Sequence, residues 1–278
     1  MLTNPRADRV RSVAALSRRS ARERAGVFVA EGPQSVREAV RFCPESIRDL
    51  YVTAEAAARH TEIVAAATAA DVHVHVCTPE VLAAMSDTDA PQGLLAVCRV
   101  LTSSLAEVLA QRPRLLLVLA HVRDPGNAGT VLRGADAAGA DAVIVSEASV
   151  DIFSPKVVRS TAGSLFHLPV VIGLPLDQIL TQLRAAGIRT LAADGAGTTL
   201  LPDVALGGPH AWVMGNEAWG LPTAVREACD EVVRVPIFGR AESLNLAMAA
   251  TVCLYASALA QRPATVAQES AWKAVTDD

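Results

Sequence analysis

Three short polar motifs in the second half of the chain carry residue types that could do chemistry. They are N-x-G-x-x-x-R from Asn127 to Arg133, G-x-E-x-x-G from Gly215 to Gly220, and S-L-N from Ser243 to Asn245. The last motif follows a polar loop and is predicted to start an Ala-rich helix that ends near Ala260. Loop N–H groups and a side-chain cap would then share one small space, with Asn245 in the first helical turn. Taken alone, this motif favours an ordinary capped strand–loop–helix crossover, which is common in α/β domains.

Other kinds of catalytic or metal site find little support in the sequence. It contains no G-x-S-x-G elbow, no P-loop and no G-x-G-x-x-G after a predicted strand, and Gly195-Ala196-Gly197 is interpreted as a turn. His73 and His75 share one side of a predicted strand but lack a third ligand, so we expect no metal. The five cysteines show no C-x-x-C spacing and are interpreted as reduced core thiols of a cytoplasmic protein.

The elements that must position the motifs form a predicted α/β domain over residues 114–262. Short runs that are apolar on both faces predict buried parallel strands, and helical segments lie between them. This alternation predicts a doubly wound domain, although the pattern does not give the strand order. The predicted strands are Leu115–Ala120, Ala142–Val145, Leu168–Ile172, Ile188–Ala192, Ala211–Met214 and Val232–Val235. The predicted helices span about 128–138, 155–162, 176–186 and 222–229.

A smaller α/β domain is predicted over residues 1–101. It begins with a helical, basic segment over residues 5–24, and strands then alternate with helices. The predicted elements are strands at Val27–Ala30, Leu50–Thr53, Val72–Val76 and Gly93–Val100, and helices at Gln34–Arg41 and Ala54–Ala70. Residues 102–113 are predicted to form a linker that could contain a short helix. Residues 263–278 are predicted to be a polar tail with a short helix near 266–275.

Composition limits the class of protein. The chain has 278 residues, a net charge of −4 and 51% hydrophobic residues, which is enough for a sizeable aliphatic core. The run Leu244–Ala260 comes nearest to a membrane span. Because it is slightly short and contains Asn245, we interpret it as a buried helix. No secretory signal and no membrane partner are expected.

The N-terminal segment is basic although the whole chain is acidic. Residues 1–24 contain seven arginines (6, 9, 11, 18, 19, 22 and 24) against Asp8 and Glu23, a balance of about +5 by count. The planar guanidinium suits bidentate contact with phosphates, so this segment is a candidate electrostatic footprint for a nucleic acid. A solvated basic helix explains the same charges.

In their order along the chain, the three motifs resemble those of the SpoU (TrmH-like) family of the SPOUT superfamily. That family contains RNA ribose 2′-O-methyltransferases that use S-adenosylmethionine. Ser154–Pro169 also resembles the family, and Glu31–Ala39 resembles the substrate-binding domain that precedes the catalytic domain in some members. The resemblance implies a homodimer whose active site is completed across the interface. It also implies a deep trefoil knot in the parallel-sheet domain, a rare arrangement that the periodicity does not show.

The resemblance also implies roles for motif residues. It implies that Arg133 activates the 2′-hydroxyl and that Asn127, which is well placed to cap the helix carrying Arg133, helps shape the site. Because a guanidinium is almost never deprotonated, Arg133 could instead stabilise a developing alkoxide or fix a phosphate. Glu217 is interpreted as an acceptor for loop N–H groups, with cofactor or arginine binding as the alternative. Ser243 and Asn245 could bond the loop, the cofactor carboxylate or the ribose.

Further positions are expected to contact the cofactor and the RNA. The resemblance and the apolar character of the last loop predict cofactor contacts at Met214, Gly215, Val235, Ile237, Leu244 and Leu246. The predicted RNA contacts are Arg6, Arg9, Arg11, Arg18, Arg19, Lys156 and Arg159.

The first hypothesis is therefore an S-adenosylmethionine-dependent methyltransferase acting on a ribose 2′-hydroxyl. The N-terminal domain favours 23S ribosomal RNA over transfer RNA as its substrate. Such a transfer needs an oriented hydroxyl and help with its proton, but no covalent nucleophile. The second hypothesis is a non-catalytic RNA-binding protein that retains the fold, against which the intact motif residues argue. A nicotinamide-dependent Rossmann enzyme would need a glycine fingerprint that the chain lacks.

Overall fold

The structure is a computed structural model that describes residues 1–261. The first domain contains α1 (Asp8–Ala14), α2 (Arg19–Ala25), β1 (Val27–Glu31), α3 (Pro33–Phe42), β2 (Ile47–Thr53), α4 (Ala54–Arg59), α5 (Thr61–Ala69), β3 (Val74–Cys77), α6 (Pro79–Met85) and β4 (Leu94–Arg99). Its sheet has the order β1-β4-β2-β3, with β2 and β3 parallel and the other pairs antiparallel. Helices cover this sheet, so the predicted small α/β domain is confirmed.

The second domain is built on a parallel sheet. Its elements are α7 (Leu105–Ala110), β5 (Leu115–Leu119), α8 (Pro125–Ala138), β6 (Ala142–Ser146), α9 (Pro155–Ser160), β7 (Val170–Leu174), α10 (Leu176–Ala185), β8 (Arg189–Ala193), β9 (Thr199–Leu200), β10 (His210–Met214), α11 (Thr223–Ala228), β11 (Glu231–Arg234) and α12 (Leu246–Gln261). The strand order is β7-β6-β5-β10-β8-β11-β9, and every pairing in it is parallel. The predicted parallel-sheet domain is confirmed, and the trefoil knot stays a prediction.

The strand order reverses between β5 and β10. From β5 the sheet grows one way through β6 and β7, and from β10 it grows the other way through β8 and β11. In open parallel sheets, ligands bind at the carboxyl ends of the strands where the order reverses. Motif one follows β5 and motif two follows β10, so the sheet brings both to that edge. Every residue of β5, β6 and β10 is buried, as their continuous apolar runs predict.

Several predicted element boundaries in the first domain are wrong. The helix predicted over 54–70 is two helices, because His60 leaves the helical conformation at φ −123° and ψ 53°. Helix α6 was not predicted, although Thr78 caps it. The linker contains α7, whose Ser104 and Glu107 form a capping box and whose Leu105 is buried in the second domain.

Boundaries in the second domain also differ from the prediction. The two-residue strand β9 was not predicted, and α8 begins at Pro125 rather than near residue 128. Helix α12 begins at Leu246 rather than at Ser243. The helix predicted near 266–275 lies outside the described residues.

The two domains share one hydrophobic core. The ring of Phe28 in β1 packs against Phe153 and Phe166 of the second domain, with centroids 5.0 and 6.1 Å apart. Arg22 of α2, which is only 4% exposed, forms an ion pair with Asp151 and donates to the carbonyl O of two residues that follow α1. These contacts fix how the first domain sits on the second.

A second group of charged contacts closes the same interface. The Arg159 guanidinium lies 2.9 Å from Glu31 and 3.1 Å from Asp87 of the first domain. The His167 ring bridges Asp136 of α8, at 2.8 Å, and Glu38 of α3, at 3.0 Å. Because most of these side chains are largely shielded from solvent, losing one partner would leave its counterpart uncompensated.

The described part of the chain offers neither a metal site nor a membrane-spanning helix. Between residues 1 and 261, no three His, Cys, Asp or Glu side chains are grouped closely enough to hold a metal ion. The His75 ring contacts Asp49 at 2.9 Å and stacks on Tyr51, consistent with an ordinary edge position. No helix in that range combines the length and apolarity needed to cross a bilayer. The described cysteines are all free thiols, and burial raises the pKa of Cys98 and of Cys253 to about 12.

A buried polar cluster fastens α12 to β10 at the edge opposite the motifs. The Ser257 hydroxyl lies 2.7 Å from His210 Nε2 and accepts a 2.8 Å hydrogen bond from the Trp212 indole. His210 Nδ1 lies 2.8 Å from the carbonyl O of Gly208, so we assign the ring proton to Nδ1. Burial lowers the pKa of His210, because the charged ring would be desolvated.

This cluster predicts loss of stability in acid. In the unfolded chain His210 is protonated with a pKa of about 6.5, whereas in the folded protein burial lowers this pKa. Stability is therefore full above that value and falls as the pH drops through it, until the folded ring is also protonated. We expect Tm to fall less between pH 7 and pH 5 in His210→Gln than in wild type. The exposed-residue control His73→Gln should show the wild-type fall. Equal falls in all three proteins would contradict the assignment.

Candidate active site

A cleft of about 670 Å³ lies at the carboxyl ends of β8, β10 and β11. Its walls come from the ends of these strands, from the loop of motif two and from residues 235–246. All six predicted cofactor contacts line it: Met214, Gly215, Val235, Ile237, Leu244 and Leu246. Glu217 and Ser243 line it as well. The volume falls within the range of about 300–1,000 Å³ that is typical of small-molecule sites.

The loop between β11 and α12 offers unused backbone groups to this cleft. Within residues 1–261, the backbone N–H and C=O groups of four loop residues that line the cleft, Ile237, Ala241, Glu242 and Ser243, make no hydrogen bond. Backbone polar groups next to an apolar wall are costly to leave unpaired once water is excluded. A ligand with its own donors and acceptors and an apolar body would satisfy both the loop and the walls.

Glu217 ties motif two to motif one. Its two carboxylate oxygens accept hydrogen bonds from the backbone N–H of Arg123, at 3.3 Å, and of Asp124, at 3.2 Å. Asn127 Nδ2 also donates to Glu217, at 3.3 Å. The structure therefore agrees with the interpretation of Glu217 as an acceptor for loop N–H groups.

Asn127 joins the third motif to this network. Its Oδ1 accepts a 3.0 Å hydrogen bond from Asn245 Nδ2. Asn245 Oδ1 in turn accepts from the backbone N–H of Ala247, at 2.8 Å. One side chain from each motif thus forms a continuous chain, Glu217–Asn127–Asn245, beside the cleft.

The capping roles differ from those predicted. Asp124 caps α8, because Pro125 occupies the first helical position and the Asp124 carboxylate accepts from the Asn127 N–H at 2.7 Å. The prediction that Asn127 caps this helix is wrong. Asn245 caps α12, so the prediction that Ser243 starts the helix is also wrong. Ser243 is exposed on the loop and makes no hydrogen bond among the described residues.

The glycine of motif one has a packing role. A Cβ at Gly129 would lie 2.7 Å from the carbonyl O of Val157 and 2.8 Å from Cβ of Ser160. Helix α9 therefore approaches α8 too closely for any side chain at this position. Ser160 also donates to the carbonyl O of Pro125, at 3.2 Å, so α9 supports the start of α8.

Arg133 lies away from the cleft. It is exposed on α8, six residues beyond Asn127 and therefore about 9 Å along the helix axis. Its guanidinium has no hydrogen bond or ion pair within residues 1–261, and it is absent from the cleft wall. At the neighbouring Gly134, α8 lies close to Thr251 of α12, where a Cβ would meet the threonine hydroxyl at 2.8 Å.

The predicted RNA contacts fall into two groups. Arg6, Arg9, Arg11, Arg18, Arg19 and Lys156 are exposed. Arg11 and Arg19 pair with Asp8 and Glu23, and Arg9 contacts His75. Arg159 is committed to the two interdomain carboxylates. Arg22, counted above in the basic segment, is buried in the interface, so the exposed charge of that segment is smaller than the sequence predicts. RNA contact at these positions stays a prediction.

Sequence reasoning missed two residues of the site. Buried Asn216 donates to the carbonyl O of His121, at 2.8 Å, and accepts from the Ala218 N–H, which shapes the loop of motif two. Asp194 lies in the cleft wall, where it accepts from Ala196 and Arg226. The available signals were the position of Asn216 between two motif residues and of Asp194 directly after a buried strand.

Comparison with protein families gives two matches. The family described as the SpoU rRNA Methylase family matches residues 114–255. The family described as the MRM3-like substrate binding domain matches residues 7–96. Together they extend over both domains of the structure.

Individual proteins match most of the chain. The 23S rRNA (guanosine(2553)-2′-O)-methyltransferase RlmP of Bacillus subtilis is 32% identical over 237 residues, which cover 84% of this chain and 89% of that protein. The crystal structure of an AdoMet-bound rRNA methyltransferase from Sinorhizobium meliloti has a TM-score of 0.81 at 31% identity, covering 92% of this chain and 96% of that one. The methyltransferase AviRb from Streptomyces viridochromogenes, in complex with AdoMet, has a TM-score of 0.79 at 31% identity, covering 91% and 98%.

Proposed function

The chain belongs to the SpoU rRNA methylase family, and we propose that it transfers a methyl group from S-adenosylmethionine to a ribose 2′-hydroxyl of 23S ribosomal RNA. The observation that carries this proposal is the hydrogen-bonded chain Glu217–Asn127–Asn245. It draws one residue from each motif to the side of a cleft at the edge where the strand order reverses. The names of the matched relatives support the same reaction class.

The cleft fits S-adenosylmethionine. Met214, Val235, Ile237, Leu244 and Leu246 offer apolar walls to its adenine and its aliphatic chain. The unpaired backbone groups of Ile237 and of residues 241–243 offer donors and acceptors to its polar edges. When bound, S-adenosylmethionine supplies an electrophilic methyl group.

The residues of the chain supply position and electrostatics. Glu217 holds the loops before α8 and after β10 at fixed separation, so the mouth of the cleft is preorganised. Arg133 stays protonated, and we assign it stabilisation of the developing 2′-alkoxide or of the adjacent phosphate. Asn127 and Asn245 fix the start of α8, which carries Arg133, against the start of α12.

Labelled methyl transfer tests the proposal. S-adenosylmethionine with a labelled methyl group is incubated with undermodified 23S rRNA and, separately, with undermodified transfer RNA. We expect 2′-O-methylribose in the 23S pool. Label in transfer RNA alone would favour the transfer RNA alternative. No transfer and no rise in Tm with S-adenosylmethionine would favour the non-catalytic RNA-binding hypothesis, since a ligand of the folded state must stabilise it.

We also infer that the protein works as a homodimer in the cytoplasm, where reduced thiols persist. Helix α12 buries one face against α8 and β10 and exposes a second apolar face. The exposed residues are Met248 (60%), Val252 (42%), Tyr255 (44%) and Leu259 (77%). They recur at helical spacing and form one stripe, which a second copy of the chain would cover. Arg133 does not line the cleft of its own chain, so we propose that the partner chain supplies this arginine and that the active site is completed across the interface.

Leu259→Glu is expected to convert the dimer into a monomer, because a carboxylate would be buried in an apolar contact. Sedimentation velocity measures the oligomeric state, and methyl transfer should fall with it. Ile172→Glu on β7 is the matched control, because it changes another exposed apolar side chain (41%) on an element remote from α12 in the sheet order, and it should leave the dimer intact. A wild-type protein that sediments as a monomer at the assay concentration would contradict the inference.

A further inference from the structure

An exposed aromatic side chain lies on the loop of motif two. Trp219 is 53% exposed, and the guanidinium carbon of Arg123 lies 5.0 Å from the centroid of its indole ring. A single exposed apolar side chain is ordinary in proteins and by itself indicates nothing. The meaning of this pair depends on where it sits and on what holds it there.

The backbone at Arg123 and around Trp219 is held by hydrogen bonds to Glu217 and Asn216, which also shape the loops beside the cleft. The N–H of Arg123 donates to Glu217, at 3.3 Å. The neighbours of Trp219 are held by Asn216, which accepts from Ala218 N–H at 2.8 Å and from Gly220 N–H at 2.9 Å. The pair therefore keeps a fixed position relative to the Glu217–Asn127–Asn245 chain.

Neither side chain contributes to that pinning. Among residues 1–261, the Trp219 indole N–H has no acceptor, and the Arg123 guanidinium forms no hydrogen bond or ion pair. The loop is built by backbone groups and by Asn216 and Glu217. The indole face and the guanidinium are thus free to meet a ligand and are not needed for the fold of the loop.

We propose that Trp219 and Arg123 form a stacking platform for an unpaired base of the RNA, next to the ribose that receives the methyl group. Single-stranded bases are recognised by stacking on aromatic rings and on arginine planes, and such stacking tolerates any base. The Arg123 charge also suits the phosphates on either side of that base. The platform would hold the base, while the Glu217–Asn127–Asn245 chain keeps the neighbouring cleft in place for the ribose. This inference rests on the proposed function.

Kinetics with 23S rRNA transcribed in vitro test the platform. In Trp219→Ala we expect the KM for RNA to rise about tenfold, with the affinity for S-adenosylmethionine unchanged. Trp219→Phe should recover most of the loss, because it keeps an aromatic face. Arg123→Met should raise KM less. Phe42→Ala is the matched control, since Phe42 is also exposed, at 49%, and also stacks with an arginine, Arg41 at 5.2 Å.

Fluorescence gives a readout that does not depend on turnover. The chain has tryptophans at 212, 219 and 272, so Trp272→Phe leaves buried Trp212 and the exposed Trp219. Binding of the transcript should quench the emission of Trp219, and Trp219→Phe in this background should remove the quenching. Absence of quenching, an unchanged KM in Trp219→Ala, or an equal rise in Phe42→Ala would each overturn the platform. Quenching without any methyl transfer by wild type would instead count against the proposed function.

Discussion

Arg133→Ala is expected to lower kcat about 10²- to 10³-fold, the loss typical of removing one group that stabilises transition-state charge. Its affinity for S-adenosylmethionine should stay at the wild-type value, because Arg133 is exposed on α8 and does not line the cleft. Labelled methyl incorporation measures the first quantity, and the rise in Tm with S-adenosylmethionine measures the second.

Arg133→Lys separates charge from geometry. Lysine keeps the positive charge but lacks the planar fork that binds two phosphate oxygens at once. Recovery of most of the activity would assign Arg133 a purely electrostatic role, and little recovery would assign it bidentate positioning. Wild-type methylation by Arg133→Ala would remove this residue from the reaction.

Gly215→Ala is expected to abolish the rise in Tm with S-adenosylmethionine and to lower methyl transfer about 100-fold. A Cβ at this position would lie 2.6 Å from the carbonyl O of Gly220 and 2.7 Å from the backbone N of Leu221. Backbone atoms cannot rotate away as a flexible side chain can, so the loop of motif two must move. That movement would displace Glu217 and the cleft wall together.

Gly208→Ala is the matched control for this substitution, because a Cβ there meets nothing within 4 Å. Far-ultraviolet circular dichroism of both variants checks that the fold is retained. If Gly215→Ala binds S-adenosylmethionine as tightly as Gly208→Ala does, the close approach at Gly215 is not needed for the cofactor site.

Mixing these two inactive chains tests whether the active site is shared. If each site uses residues of both chains, a mixed dimer has one complete site. The Arg133→Ala chain supplies its intact cleft and the Gly215→Ala chain supplies its intact Arg133. Random pairing should then restore about a quarter of the wild-type activity, because half of the dimers carry one working site of two. No recovery would mean that each chain uses its own Arg133.

The element types were predictable because they depend on local patterns. The short apolar runs Leu115–Ala120, Ala142–Val145 and Ala211–Met214 predicted β5, β6 and β10, since strands covered on both faces need no polar alternation. The predicted boundaries are wrong where a single residue determines where a helix begins or ends. Helix α8 begins at Pro125, three residues before its predicted start, and His60 divides one predicted helix into two. The strand order depends on contacts between distant segments, which periodicity does not carry.

The sequence predicted which residues line part of the cleft, but it predicted neither Asn216 and Asp194 nor the hydrogen bonds that connect the motifs. The apolar residues of the last loop lie in the cleft wall, as their character and the resemblance predict. The bond between Asn127 and Asn245 joins residues that are 118 positions apart in the chain, and no spacing rule gives it. The sequence also did not predict that Arg133 lies outside the cleft wall. Arg133 belongs to motif one, but it lies almost two helical turns beyond Asn127 on α8.

The shared core between the domains has a consequence for where the methyl group goes. Phe28 packs on Phe153, and Arg22 is buried against Asp151, so the first domain has no freedom to swing on the second. An RNA feature held by the first domain would therefore meet the cleft at a constant offset. The distance between an RNA element bound by the first domain and the ribose at the cleft would then be determined by the protein and not by the flexibility of the RNA.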